Sequence, residues 1–135
     1  MKSAQTNPLD GLNVLLVEDQ SLIALDMEAN LLDLGARSVQ TYTGREAALA
    51  WLATSTPDIG VLDVNLGSSD AFPIAIELHQ RRVPFVFTTG YDDNMRMPAE
   101  LTDAPILRKP YTLVDLRIAL RACLGLDPGL DASEI

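Results

Sequence analysis

The sequence predicts a single α/β domain, in which five parallel strands alternate with five helices in a doubly wound (βα)₅ sheet. Three observations predict this class. Short, nearly continuous apolar runs are typical of strands that are buried on both faces. Segments with apolar residues at helical spacing follow these runs in strict alternation. This alternation also argues for right-handed crossovers. No repeat or low-complexity segment interrupts the order, so we expect no internal domain boundary.

Most of the predicted strands are apolar runs bounded by polar or turn-forming residues, and residues 38–42 are predicted as a second, short strand. The first run ends abruptly in Glu18 and Asp19, the third in Asp63 and the fifth in Lys109. We predict strands over residues 12–17, 38–42, 59–62, 83–88 and 105–108.

The predicted helices follow from helical spacing of apolar residues and from capping signals. Thr43 and Glu46 have capping-box spacing ahead of the second helix, and Thr112 caps the last one. Gly35 supplies a C-cap after the first helix, whereas Pro98 makes the fourth helix the weakest. We predict helices over residues 21–34, 43–54, 72–82, 91–101 and 112–124.

Composition excludes several classes of function. Ten basic and nineteen acidic residues give a net charge of −9, which argues against nucleic acid or an anionic membrane as the partner. The only cysteine, Cys123, and the only histidine, His79, offer neither a disulfide nor a zinc cluster. With no secretory signal and no apolar run long enough to cross a bilayer, we expect a cytoplasmic domain.

Polar side chains follow the carboxyl ends of four predicted strands, which is where open α/β sheets bind ligands. They comprise the carboxylates of Glu18, Asp19 and Asp63, the hydroxyl of Thr89 and the ammonium of Lys109. Three close carboxylates repel one another, and one ammonium does not neutralise them. Oxygen ligands of this kind suit a hard divalent ion, best Mg²⁺. Asp63, on the central strand, is the best candidate for a nucleophile that accepts a phosphoryl group.

A nucleotide site is a poor fit to the same region. The first strand is followed by Glu18-Asp19-Gln20-Ser21, without the glycine-rich turn of a dinucleotide-binding motif or a P-loop. A pyrophosphate would therefore meet two carboxylates where it needs backbone N–H groups.

The polar residues at the carboxyl ends of the predicted strands together resemble those of the receiver domain of two-component response regulators. The resemblance implies a flavodoxin-like fold, with the receiver domain at residues 12–124, an N-terminal extension at 1–11 and a C-terminal tail at 125–135. The residues that carry the resemblance are Glu18-Asp19, Asp63, Thr89 and Lys109-Pro110.

The resemblance assigns a role to each acidic position. Asp63 is similar to the phosphoacceptor aspartate of the family. Asp19 resembles the direct carboxylate ligand of Mg²⁺, and Glu18 a ligand that acts through water. Asn65, two residues beyond the acceptor, would contribute its backbone carbonyl to the metal.

The resemblance also assigns the phosphoryl contacts and shows one departure. Lys109 matches the family's ammonium, and Thr89 its hydroxyl residue, because Thr89 directly precedes the small residue Gly90 as the family pattern requires. Thr88 is the competing hydroxyl. The aromatic switch residue expected three positions before the lysine is replaced by Ile106.

Residues 84–91, PFVFTTGY, resemble the "FAT GUY" receiver subgroup, with Thr88 where alanine is usual. In that subgroup the segment after the fourth strand is thought to perform the switching. We therefore expect Tyr91 to take part in a conformational switch, in place of the missing aromatic residue on the fifth strand.

The resemblance implies a stand-alone response regulator in a phosphorelay. It would take a phosphoryl group from a histidine kinase or a histidine phosphotransfer protein and signal by protein contact or onward phosphotransfer, without acting as an enzyme on other substrates. One alternative is a phosphorylation-independent binding module. A Mg²⁺-dependent phosphohydrolase of the haloacid dehalogenase type is another, but it would need a second aspartate where this chain has Asn65.

Overall fold

Five parallel strands form one sheet in the order β2-β1-β3-β4-β5 in a computed structural model that describes residues 7–90 and 97–126. This arrangement confirms the predicted class, with β3 at the centre of the sheet. Because β1 pairs with both β2 and β3, the chain reverses its direction of progress across the sheet beside β1. The strands are β1 (Asn13–Val17), β2 (Ser38–Tyr42), β3 (Ile59–Asp63), β4 (Phe85–Thr89) and β5 (Ile106–Arg108).

The helices agree with prediction to within a few residues where the structure describes them. Residues 91–96 lie outside the described part, so of the weak helix expected over 91–101 only a 3₁₀ turn, Ala99–Leu101, is described. Within the described residues no helix is long and apolar enough to span a bilayer. The helices are α1 (Ser21–Asp33), α2 (Arg45–Leu52), α3 (Phe72–Gln80) and α4 (Leu113–Cys123).

The two predicted helix caps have different outcomes. Thr112 begins α4 with a complete capping box, in which its Oγ1 accepts from the Asp115 backbone N–H and the Asp115 carboxylate accepts from Thr112 N–H. The capping box predicted at Thr43 is wrong. Gly44 is the N-cap of α2, in an extended conformation and with no side-chain cap bond, so Thr43 lies one residue too early.

The core lies on both faces of the sheet. Leu62 and Phe87 pack among residues of α2 and α3 on one face, while Val61 and Val86 pack among residues of α1 and α4 on the other. All five residues of β3 are buried. This double burial explains the continuous apolar run and leaves the carboxyl ends of the strands as the place where polar groups collect.

The segment before β1 is joined to the core rather than separate from it. Leu9, expected in an N-terminal extension, is fully buried against α1. Its N–H donates to Leu34 O at 3.2 Å, and Gly11 N–H donates to Gly35 O at 3.1 Å. Gly35 has φ +105°, and a Cβ there would lie 2.9 Å from Asp10 Cα, so only glycine fits this corner.

Leu9→Ala should lower the free energy of unfolding by about 2 to 4 kcal/mol, because a fully buried leucine would leave a cavity behind. Urea denaturation measures the loss. Leu25→Ala, at an exposed position of α1, is the matched control and should change stability by less than about 0.5 kcal/mol. Equal effects of the two changes would show that the segment contributes nothing to the core.

Candidate functional site

An acidic cluster lies at the carboxyl end of the sheet. Glu18 and Asp19 follow β1, and Asp63 is the last residue of the neighbouring β3. One carboxylate oxygen from each residue lies within 4.8 Å of the other two. Glu18 and Asp63 are only 3% and 4% exposed, whereas Asp19 is half-buried and faces the opening. Parallel pairing of β1 and β3 is what brings residues so far apart in the sequence together.

One ammonium group joins this cluster from β5. Lys109 Nζ lies 3.1 Å from Glu18 Oε1 and 3.2 Å from Asp63 Oδ2, and it donates a hydrogen bond to each. Lys109 N–H also donates to Thr89 O at 2.8 Å, which fixes the backbone at the end of β5 against the end of β4. Three carboxylates and one ammonium leave the cluster with a net negative charge when all are ionised.

The pKa values reflect this surplus of negative charge. Burial and the charge of Glu18 raise the pKa of Asp63 to about 7, although Lys109 opposes the change. Burial and Glu18 also raise the pKa of Asp19. Burial lowers the pKa of Lys109, but Asp63 and Glu18 outweigh it and hold that pKa above its usual value. The carboxylates are thus held together at an electrostatic cost that a bound cation would relieve.

The loop after β3 closes over one side of the cluster. Asn65 N–H donates to Asp63 Oδ1 at 3.2 Å, and the Asn65 side-chain oxygen accepts from Gly67 N–H at 2.9 Å. A Cβ on Gly67 would lie 3.6 Å from Asp19 Oδ2, and φ at this glycine is +83°. The loop therefore turns tightly and brings its backbone close to the acidic cluster.

Two buried threonines lie at the end of β4. Thr88 is the register partner of Asp63, and Thr89 is the next residue. Because side chains alternate along a strand, their hydroxyls lie on opposite faces of the sheet. Thr89 Oγ1 donates to Gly90 O at 3.2 Å. That Thr89, rather than Thr88, contacts a bound phosphoryl group stays a prediction.

A cleft of about 210 Å³ opens beside the cluster. Its size suits a metal ion with its waters and a phosphoryl group, but not a nucleotide. The sequence had pointed to four of the lining residues, whereas Gln20, Ile23, Gly67 and Gly90 were not singled out as site residues. The lining residues are Asp19, Gln20, Ile23, Asp63, Asn65, Gly67, Gly90 and Lys109.

The predicted switch positions are described only in part. Tyr91 lies outside the described residues. Ile106, the residue found in place of the aromatic switch, is 43% exposed on β5 and pairs with Phe87. Gln20 contributes a contact that sequence reasoning missed, since its N–H donates to Glu18 Oε2 at 3.1 Å and orients that carboxylate. No side-chain pattern signals this bond, because the backbone makes it.

The cluster fits a hard divalent cation. Its donors are carboxylate oxygens, with no sulfur or imidazole among them, and one ammonium compensates only part of their charge. The open side lies at Asp19 and at the backbone of the Asn65–Gly67 turn, so an ion there would keep positions for water or for a phosphoryl oxygen.

Comparison with known proteins places the chain among signalling domains. Residues 14–121 match the family model described as the response regulator receiver domain. The solution structure of SdrG from Sphingomonas melonis Fr1 is similar, at 36% identity and a TM-score of 0.70, with the match covering 87% of this chain and 98% of that chain. A response regulator receiver protein from Burkholderia phymatum is 27% identical, with a TM-score of 0.71 over 85% of this chain and 96% of that one.

A third similar structure shows the shared fold alone. It is the receiver domain of the PhyR response regulator from Erythrobacter litoralis, at 22% identity and a TM-score of 0.66, covering 86% of this chain and 92% of that chain. No curated protein matches the chain.

Proposed function

The chain belongs to the response regulator receiver domain family, and from this premise we propose that it accepts a phosphoryl group on Asp63. The observation that carries the proposal is the environment of this carboxylate. Asp63 is buried at the end of the central strand, bonded to Lys109, close to Glu18 and Asp19, and open to a cleft of phosphoryl size. The donor would be a histidine kinase or a histidine phosphotransfer protein.

Mg²⁺ would be held by the Asp19 and Asp63 carboxylates and the backbone carbonyl of Asn65, with Glu18 acting through water. When bound, the ion neutralises charge on the phosphoryl oxygens and on the attacking carboxylate. Receiver domains are in general Mg²⁺-binding, and the all-oxygen cluster supports the same requirement here.

The transfer would exchange one bond to phosphorus for another. An Asp63 carboxylate oxygen attacks the phosphorus, the P–N bond to the donor histidine breaks, and the imidazole leaves with the electron pair. Lys109 would stabilise the equatorial phosphoryl oxygens, moving from its carboxylate partners to the incoming charge. The Thr89 hydroxyl would donate to a further phosphoryl oxygen.

The two alternatives are less well supported by the same residues. A phosphohydrolase of the haloacid dehalogenase type needs a general acid two residues after the nucleophile, and the amide of Asn65 cannot supply one. A phosphorylation-independent binding module would have no need for a buried acceptor bonded to an ammonium, because burying such charges is costly. Receiver domains are typically signalling modules, so we propose output through a protein partner or onward phosphotransfer.

We further propose that the chain is of the "FAT GUY" subgroup and that Tyr91 performs the switch. The sequence Phe87-Thr88-Thr89-Gly90-Tyr91 supports this assignment, as does Ile106 in place of an aromatic residue. Tyr91→Leu should then weaken phosphorylation-dependent partner binding without changing phosphorylation. Unchanged partner binding would contradict the switch role of Tyr91 but not the proposed phosphorylation of Asp63.

Incubation with Mg²⁺ and acetyl phosphate tests the proposed function. The protein should gain the mass of one phosphoryl group, and borohydride reduction should convert residue 63 to homoserine. Chelation of Mg²⁺ should abolish the adduct. No adduct in the presence of Mg²⁺, or one that maps elsewhere, would refute the proposal. The phosphorylated protein is then mixed with a histidine phosphotransfer protein to distinguish two roles. In a relay the phosphoryl group moves to the histidine of that protein, whereas in a phosphate sink it is released as inorganic phosphate.

Thr89→Ala should slow phosphorylation by acetyl phosphate about tenfold to a hundredfold, because the hydroxyl donates to a charged phosphoryl oxygen. Thr88→Ala is the matched control, since it removes an equally buried hydroxyl from the same strand. Rates are read from the time course of adduct mass. A larger loss in Thr88→Ala would assign the phosphoryl contact to Thr88 instead.

A further inference from the structure

We propose that Arg45 is a positioning residue for the metal site, acting through the loop that carries Asn65; this inference rests on the proposed function. Arg45 is the first residue of α2, and its hydrogen bond and ion pair within the described residues are to Asp70 rather than to the acidic cluster. Its guanidinium instead contacts the far end of the β3–α3 loop. The loop, in turn, supplies the backbone that faces Asp19 and Asp63.

Arg45 makes two interactions with the loop, both with Asp70. Arg45 Nη1 lies 3.8 Å from Asp70 Oδ1 and donates to Asp70 O at 3.4 Å. The same Asp70 Oδ1 accepts from Phe72 N–H at 3.0 Å, at the beginning of α3. Arg45 thus contacts both the backbone and the side chain of Asp70, two residues before α3 begins.

Asp70 transmits this restraint directly to Asn65. The two residues form an antiparallel β-bridge, and between them Leu66 N–H donates to Ser69 O at 2.9 Å. Residues 65–70 therefore form a small closed hairpin, with the Asn65 end at the cluster and the Asp70 end at Arg45. A shift of Asp70 would move the carbonyl of Asn65, which is the backbone ligand proposed for Mg²⁺.

The partial exposure of the Arg45–Asp70 ion pair makes it possible to distinguish a role in metal binding from a role in folding. The Arg45 and Asp70 side chains are 29% and 48% exposed, and partly exposed ion pairs contribute little to folding. Variants at these positions should therefore remain folded. Electrostatics alone makes the opposite prediction for the metal, because removing a cation near a cation site should strengthen Mg²⁺ binding.

The test is Mg²⁺ titration by calorimetry on the full chain, with urea denaturation in parallel. Arg45→Ala should weaken Mg²⁺ affinity about threefold to fivefold while leaving the urea midpoint nearly unchanged. Arg45→Lys, which keeps the charge, should bind within about twofold of the wild type. Arg37→Ala is the control, since it removes an exposed cation before β2, at the opposite end of the sheet, and should not weaken binding.

A double-mutant cycle with Asp70→Asn completes the test. The asparagine oxygen can still accept from Phe72 N–H, so this change breaks the ion pair but keeps that hydrogen bond. If Arg45 acts through Asp70, the double variant binds Mg²⁺ no more weakly than the weaker single variant. Additive effects, or unchanged or tighter binding in Arg45→Ala, would overturn the positioning role. Failure of the wild type to bind Mg²⁺ would instead overturn the proposed function, and the positioning role with it.

Discussion

Asp63→Asn should abolish phosphoryl acceptance and, without Mg²⁺, make the folded protein more stable than the wild type. The first effect follows because an amide oxygen is not a nucleophile that can form the acyl phosphate. The second follows because the ionised carboxylate of Asp63 is buried and lies close to another carboxylate. Burial and Glu18 raise its pKa to about 7 against the opposing effect of Lys109.

The sign of the stability effect depends on pH. The folded protein holds a proton on Asp63 up to about pH 7, whereas the unfolded chain releases it near the usual value of 3.8. The free energy of unfolding of the wild type should therefore fall as pH rises from about 4 to 7. Above pH 7 it should fall no further on account of Asp63. Asp63→Asn removes this decrease, and we expect a gain of about 1 to 3 kcal/mol at pH 8.

Two measurements check the prediction: adduct mass after treatment with acetyl phosphate and Mg²⁺, and urea denaturation in chelator at pH 5 and pH 8. Asp58→Asn is a matched control, because Asp58 is exposed at the opposite end of β3. The control should be phosphorylated normally and should show no such gain at pH 8. A stability loss in Asp63→Asn at pH 8 would mean that the bond to Lys109 outweighs burial and repulsion.

The fold was largely predictable because the parallel sheet is buried on both faces. Such strands appear as apolar runs, and β3, predicted over residues 59–62, lies at Ile59–Asp63 with all five residues buried. The misassigned cap at Thr43 shows the limit, since the neighbouring Gly44 is the N-cap and its glycine leaves no side-chain signal for this position. The burial of Leu9 was not predictable from a polar segment, because backbone bonds from Leu9 to Leu34 and from Gly11 to Gly35 hold this segment against the core.

The acidic cluster was predictable for a different reason. Each parallel strand ends at the same edge of the sheet, so Glu18, Asp63 and Lys109 had to meet once the strand order was known. What the sequence did not reveal are contacts made by backbone groups, such as Gln20 N–H to Glu18. Nor did it reveal the link from Arg45 to the loop, since charged residues on a helix are usually solvated.

Lys109→Ala should separate metal binding from phosphoryl transfer. The ammonium lies between Glu18 and Asp63, so removing it leaves two buried carboxylates without their cation. Mg²⁺ would then replace the lost positive charge beside them, and its affinity should rise about tenfold, since a positive charge a few ångströms away has been removed. Phosphorylation should nevertheless slow about a hundredfold, because the lost ammonium stabilises the phosphoryl oxygens in the transition state.

Arg108→Ala is the matched control for this change, since Arg108 is the neighbouring residue on β5 and its side chain is exposed. It should alter Mg²⁺ affinity and the phosphorylation rate by less than about twofold. Phosphorylation rates of both variants are compared at saturating Mg²⁺, where the ion offsets the charge imbalance that would otherwise destabilise Lys109→Ala. Rates are taken from adduct mass and affinities from calorimetry. If tighter Mg²⁺ binding were accompanied by unchanged phosphorylation, Lys109 would be a structural counter-ion of the acidic cluster rather than a participant in the transfer.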